Sequence, residues 1–307
     1  MISAEVIADS VSPVGIRLTT VKCVYPWFIH GEVMTHRVFS RNASSNRAVP
    51  TSKLLAEARD PKLRAMPSFS VINAPGMQGG RPTTEIERNR FAEYWHAAAM
   101  RTADIAEGLA QIGAAKQDVN RLLMPFTHAR VLITATDWRN FFGLRIHKDA
   151  QPEARELAIA IWKAQGNSAP KLLQPGEWHL PYVTAEELAE KDWSDDPISY
   201  HLKVSVARCA RVSYESFETG RRSTIEEDLR LYERLVGSQP MHASPTEHQA
   251  TPDQYVYDNE GNLLYDRYGV RIWEQPYKHG NLRGWRQYRK MLPGEAEAPF
   301  SDDVVSP

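Results

Sequence analysis

Thr35-His36-Arg37-Val38-Phe39-Ser40-Arg41-Asn42-Ala43-Ser44-Ser45-Asn46-Arg47 is the stretch on which the reading of this chain turns. It holds three arginines, a histidine, four hydroxyl side chains (Thr35, Ser40, Ser44, Ser45) and two asparagines, and only Val38 and Phe39 suit a core. Closely spaced guanidinium forks and hydroxyl donors are what a phosphate-bearing ligand requires. The stretch follows an apolar segment, Ile16 to Met34, so buried structure is expected to hold it in place.

The surrounding composition sets bounds. The chain has 307 residues, 42% of them hydrophobic, which is ample for a buried core. Its net charge of -1 supplies no global field for nucleic acid or a membrane surface, so the basic clusters read as local sites and no nucleic-acid partner is expected. Cys23 and Cys209 lie far apart with no CxxC, which predicts a reducing compartment and no thiolate metal site. His242 and His248 lack a third ligand at sensible spacing, so no metal is expected. MISAEVIADS has no basic and apolar leader pattern, and no apolar run reaches membrane-span length; a cytoplasmic protein is expected.

Periodicity and punctuation place the elements. Ile16 to Met34 reads as one or two strand segments interrupted at Pro26. Residues 51–65 suggest a short helix and 66–83 a Pro/Gly loop. Thr84 to Gly113 reads as a long helix with Thr84 as cap and Glu87 three residues on. Asp118–Met124 is a short helix, Arg130–Thr136 a buried strand, and Trp138–Leu144 and Glu153–Ala164 are helical. Residues 165–195 are polar and Pro-interrupted. Helices are predicted over Ile198–Ala210 and Thr224–Val236, a hairpin over Tyr255–Tyr265, and a basic aromatic helix over Asn281–Leu292. The acidic, Pro-containing tail from Gly294 is expected to be disordered. No solenoid-type repeat is evident.

The opening stretch resembles the signature of the flavin-dependent thymidylate synthases: Arg-His-Arg, two residues, Ser, one residue, Asn, two residues, Ser, one residue, Arg-Tyr. His36, Arg37, Ser40, Asn42, Ser45 and Arg47 fall at matching positions. Thr35 replaces the first Arg, Ala48 the Tyr, and Ala43 the glutamate that usually follows the Asn. Two further stretches are similar to the same family. One is Asp137–Arg145 with Ala150-Gln151-Pro152-Glu153-Ala154-Arg155. The other is Cys209-Ala210-Arg211-Val212-Ser213-Tyr214 through His242-Ala243-Ser244-Pro245-Thr246-Glu247-His248, which in the family precedes the Arg-His-Arg strand. The chain therefore resembles a circularly permuted member, a rearrangement tolerated where termini lie close on a surface.

The resemblance implies an α/β (α+β) fold, a mixed sheet flanked by helices. A flavin and nucleotide core would span 1–170, and a permuted helical segment, 171–307, would complete the same domain and add the hairpin, basic helix and tail. It implies FAD-dependent reductive methylation of dUMP at C5, with methylenetetrahydrofolate and NADPH as co-substrates, in a homotetramer with shared sites. It assigns His36, Arg37, Asn140 and Ser244 to the flavin. Glu32, Ser45, Arg47 and Arg121 fall to the nucleotide, Arg121 acting from a neighbouring subunit. Arg145 would stabilise the ionising ring by preorganised charge. The family's Asn-x-Arg flavin element is missing at Thr134-Ala135-Thr136, and Asn281 and Arg283 are candidates to replace it. Alternatives are a dUMP or dCMP hydroxymethylase, favoured by the departures at Thr35 and Ala43, and a non-catalytic flavin- and nucleotide-binding protein.

Overall fold

The computed structural model describes residues 1–75, 80–189, 197–213, 215 and 220–295. Five strands form one mixed sheet: β1 (Ser3–Val11), β2 (Arg17–Pro26), β3 (Ser40–Ala43), β4 (His128–Ala135) and β5 (Lys171–Leu172), in the order β3-β4-β2-β1-β5. The β1–β5 pairing is parallel and the other three are antiparallel. Around the sheet lie α1 (His30–Met34), α2 (Thr51–Arg59), α3 (Glu85–Gln111), α4 (Lys116–Leu123), α5 (Arg139–Arg145), α6 (Pro152–Gly166), α7 (Ala185–Ala189), α8 (Pro197–Arg211) and α9 (Ile225–Leu235). A second, two-stranded sheet pairs β6 (Ala250–Pro252) with β7 (Trp285–Gln287). The expected mixed sheet flanked by helices is thus present.

Helix starts are written locally. Thr84 caps α3: its hydroxyl accepts from the Glu87 amide while the Glu87 carboxylate accepts from the Thr84 amide, and Arg81 grips Glu87 at 2.6 Å. The same device recurs at α9, with Thr224, Glu227 and Arg221, again with the guanidinium at 2.6 Å. It arises from the same pattern, Gly-Arg-x-(Thr/Ser)-Thr-x-x-Glu, at 80–87 and 220–227.

Three predicted segments differ. Residues 27–34 are not strand: Pro26 has no amide to continue the ladder, and the chain turns into a 3-10 turn and α1. The hairpin over Tyr255–Tyr265 narrows to a single bridge, Tyr257 to Leu263, while Tyr255 pairs with Trp273 and Tyr265 with Arg271. The Asp258 and Asp266 carboxylates each accept backbone amides within tight turns and so use up donors a longer ladder would need. Residues 281–292 do not form one helix: a short strand, Trp285–Gln287, is followed by a single 3-10 turn, Tyr288–Met291. Gly280 and Gly284 have φ of +57° and +78°, which breaks helical continuity, and β7 buries Trp285 and Gln287 on alternate positions. Most of the acidic tail, from residue 296, lies outside the described residues, as does Tyr214.

The main core packs α5 and α6 on the sheet through Val21, Val131, Ile133, Phe141, Leu157 and Ile161. Its neighbour joins α2, α3 and α4. The C-terminal residues share these layers. Leu18 of β2 packs with Ala250, Leu282 and Trp285, and Leu132 of β4 packs with Tyr182, Cys209 and Val212. Gly284 has a left-handed φ of +78°, and a Cβ there would lie 2.6 Å from Ile16 Cδ1, so glycine suits the place where this loop closes on the residue before β2. Buried ion pairs tie the helices together. Arg208 contacts Asp228 and Glu187, both at 2.8 Å, and Arg211 also contacts Asp228.

Through the sheet runs a buried polar chain. Ser10 Oγ lies 2.8 Å from His179 Nδ1, His179 Nε2 lies 2.8 Å from Thr20 Oγ1, Thr20 lies 2.6 Å from Thr134, and Thr134 lies 2.8 Å from His248 Nδ1. Burial lowers both histidines to about 3, with mutual repulsion adding to the shift of His248. No helix among the described residues is long and apolar enough to cross a membrane.

Candidate active site

β3 is an edge strand of the sheet, and it carries the middle of the opening stretch. Its register against β4 sets Ser40 opposite Thr134 and Asn42 opposite Leu132. The turn before it, 32–37, is held from two sides by guanidinium groups. On one side Arg41 Nη1 donates to the carbonyls of Val33 (3.2 Å), Met34 (2.9 Å) and His36 (3.2 Å). A cation is favourable there because it meets the negative end of the α1 dipole and the carbonyls keep a second lone pair to offer. On the other side Arg145, the last residue of α5, donates through Nε to His36 Nε2 (3.0 Å). Its Nη2 donates to the Glu32 carbonyl (3.2 Å) and to Thr35 Oγ1 (3.1 Å).

An arginine only donates, so His36 Nε2 is an acceptor and the ring's proton sits on Nδ1. Burial, then the Arg145 and Arg41 charges, hold His36 below its usual range, which keeps it neutral. The ring packs against Phe39 and Phe141, at 5.7 and 4.9 Å between centroids.

The C-terminal residues reach the same strand. Asn281 Nδ2 donates to the Val38 carbonyl (3.0 Å), and its Oδ1 accepts from Ser40 Oγ (3.1 Å) and Gln287 Nε2 (3.0 Å). Gly280 makes room for this: a Cβ there would lie 2.5 Å from Gln287 Oε1. Asn42 Nδ2 donates to the carbonyls of Cys209 (2.8 Å) and Ala210 (3.2 Å), and Ser244 Oγ donates to Asn42 Oδ1 (3.4 Å). Arg289 pairs with Glu247 beside them.

The structure therefore brings His36, Arg145 and the backbone carbonyl of Glu32 into one hydrogen-bonded cluster, and Asn281 and Ser244 onto the strand that follows it. Arg37, Ser45, Arg47, Asn140 and Arg283 are exposed, and their side chains make no ion pair among the described residues. Arg121 is not drawn to the cluster: it faces outward, 62% exposed, 3.6 Å from Asp118 of its own helix. The helix nonetheless abuts the end of the motif, since Asn120 donates to the carbonyls of Asn46 (2.7 Å) and Val49 (3.1 Å). Two residues escaped the reading of the sequence. Gln287 lay in a segment misread as helix, although the in-out alternation of Trp285, Arg286 and Gln287 is a strand signal. Arg41 carries no signal that separates a carbonyl-binding arginine from a ligand-binding one.

The donor set suits an anionic, partly planar ligand. Arg37, Arg47 and Arg283 offer guanidinium groups without a carboxylate partner among the described residues, and Met34 and Val38, on either side of His36 in the sequence, and Leu144, next to Arg145, expose apolar surface. A flavin dinucleotide, with its pyrophosphate and flat ring, fits these residue types. A cleft of about 1190 Å³ between residues 70–74 and Lys148–Arg155 is lined by none of the Thr35–Arg47 side chains, but it takes in Ala150, Gln151, Pro152 and Arg155 of the second family-like stretch. Among the described residues no group of three or more His, Cys, Asp or Glu is placed to hold a metal ion. Both cysteines are fully buried, and burial pushes their thiols up, away from the nucleophilic thiolate form.

The edge strand β3 of this α/β fold and the turn before it, met by Arg145 of α5, form one candidate ligand site. The thymidylate synthase complementing protein family model matches residues 11–171, just over half of the chain, and the chain belongs to that family. A flavin-dependent thymidylate synthase from Mycobacteroides abscessus is 27% identical over 148 residues. That match takes in 46% of this chain and 54% of the relative, so it spans about half of the relative's length. Among solved structures, the UMP/dUMP methylase PolB from Streptomyces cacaoi aligns in two forms. The form bound with 5-Br UMP has a TM-score of 0.45 and 16% identity, over 54% of this chain and 89% of that one. The form bound with 5-Br dUMP has a TM-score of 0.45 and 15% identity, over 54% and 90%.

Proposed function

We propose that this chain is a flavin-dependent transferase that adds a one-carbon unit to C5 of a pyrimidine deoxynucleotide, with dUMP to dTMP as the primary reaction. The observation that carries the reading is Arg145, held by hydrogen bonds against the very turn that opens the motif. A guanidinium fixed in advance stabilises negative charge as the uracil ring ionises, without reorganising at the moment of reaction. Ser45 and Arg47 hold the nucleotide phosphate, and Glu32 reads the base edge. Arg121, outward-facing on α4, reaches the phosphate in a neighbouring subunit of a homotetramer. His36 presents its Nδ1–H, and Arg37, Asn140, Ser244, Asn281 and Arg283 bind FAD. When bound, the flavin supplies the two reducing equivalents that take the transferred carbon to methyl. Methylenetetrahydrofolate is the carbon donor and NADPH the source of electrons. Segment 171–307 completes the domain begun by 1–170, in permuted order.

Thr35 favours a second reading. It places a neutral hydroxyl where the family has a cation, and so alters the charge beside the ring. Capture of the methylene by water would then give a hydroxymethyl product on dUMP or dCMP.

Both readings meet one experiment. The purified protein is examined for a flavin spectrum, then incubated with NADPH, methylenetetrahydrofolate and either dUMP or dCMP, and the nucleotide is weighed by mass spectrometry. A methyl gain on dUMP is expected. A hydroxymethyl gain selects the second reading, and a protein that neither takes up flavin nor changes either nucleotide refutes both.

A further inference from the structure

The hydroxyl of Thr35 makes two contacts at once. It donates to the Glu32 carbonyl at 2.6 Å and accepts from Arg145 Nη2 at 3.1 Å. The same Nη2 also donates to the Glu32 carbonyl, and Nε is spent on His36 Nε2. Three anchors therefore lie on one edge of the guanidinium plane. The other edge, Nη1, makes no hydrogen bond or ion pair among the described residues. The turn that supplies the anchors is itself clamped by Arg41 through three carbonyls, so the anchors do not drift.

We infer that Thr35 is the positioning residue for Arg145, fixing the Nε and Nη2 edge to the turn after α1 so that Nη1 is the edge presented to substrate. The departure from the family's arginine is then functional. A second guanidinium at position 35 could not accept from Arg145 and would repel it, whereas a hydroxyl both accepts and passes its own proton to a carbonyl. The inference rests on the proposed role of Arg145 in ring ionisation. Thr35 acts only through Arg145 and touches no reacting atom.

The test compares the wild-type holoenzyme with Thr35→Ser and Thr35→Val. Valine keeps the shape and removes the hydroxyl. Thr35→Val is expected to lower kcat by roughly 10- to 100-fold, as small misplacements of a preorganised group do. The nucleotide KM, and the calorimetric affinity for the nucleotide, should stay within about threefold, because lost transition-state contacts appear in kcat. Thr35→Ser should restore kcat to within about threefold of wild type. A Thr35→Val enzyme as fast as wild type overturns the inference. So does a Thr35→Ser enzyme as slow as Thr35→Val, since shape and not the hydroxyl would then be at issue.

A second readout is independent of turnover. In 15N-arginine spectra, with the Arg145 Nε–H signal assigned from Arg145→Lys, that proton should exchange slowly in wild type and Thr35→Ser, and rapidly in Thr35→Val. Equal protection in Thr35→Val overturns the inference. A wild-type protein that turns over no pyrimidine nucleotide yet shows this exchange pattern would sink the proposed function and leave the positioning role standing.

Discussion

Acid should unfold this protein through the buried chain that joins His179 to His248. In the folded state both imidazoles sit at about 3, against an ordinary value of 6.5. The fold disfavours the protonated ring, so below about 6.5 the unfolded chain binds more protons. The stabilisation is complete above that value and drains as pH falls from 6.5 toward 3. Between pH 7.5 and 5.0 each ring then costs about 2 kcal/mol, and the two together about 4 kcal/mol. That is a large share of a stability of roughly 5–15 kcal/mol. The assay is urea unfolding at both pH values in wild type and in His248→Gln, which carries an amide that does not titrate. Wild type should lose about 4 kcal/mol and the variant about 2 kcal/mol. His30 and His36 are also lowered and shift the result in the same direction, but they are present in both proteins and cancel in the difference. If His248→Gln loses as much as wild type, the buried pair is not the source of the acid sensitivity. His179→Gln serves as the second variant should the first fold poorly.

Four further outcomes follow from the geometry. Asp228→Asn should lower stability by about 3–5 kcal/mol in denaturant titration, because it breaks the pairing of two buried guanidiniums. Gly284→Ala should cost about 3 kcal/mol by the same assay, from the left-handed backbone plus the contact with Ile16. Cys23→Ala and Cys209→Ala should each keep kcat within about threefold, whereas a cysteine nucleophile would show a loss of several orders of magnitude. Asn281→Ala should weaken flavin retention by about tenfold on gel filtration, consistent with a lost hydrogen-bond anchor of about 1 kcal/mol or more.

Much of the fold was legible where local signals agree. β4 centres on the apolar run Val131-Leu132-Ile133, and α3 and α9 carry their own caps. β1 was missed because its Ser, Ala and Asp residues dilute the β-branched signature, and pairing with β2 decides its conformation. The segment after Gly280 was misread because a basic, aromatic composition says nothing about two left-handed glycines. For the site, the motif announced itself by residue type, and Arg145 through family resemblance. The link between them was invisible, since 109 residues separate His36 from the arginine that bonds it. The contacts of Gln287 with Ser40 and Glu247 were hidden in the same way, whereas the partners of Arg41 are backbone carbonyls close in sequence, which no residue type marks.

The matching starts of α3 and α9 bear on how such a chain can be rearranged. Each start is a closed circuit of eight residues, in which an arginine, a threonine and a glutamate satisfy one another and the first free amides. The capping contacts themselves join only residues within that eight-residue span. A helix equipped in this way carries its own address label, and relocating the segment relocates the instruction to begin. At two of the principal helices the signal to begin is therefore local in the sequence.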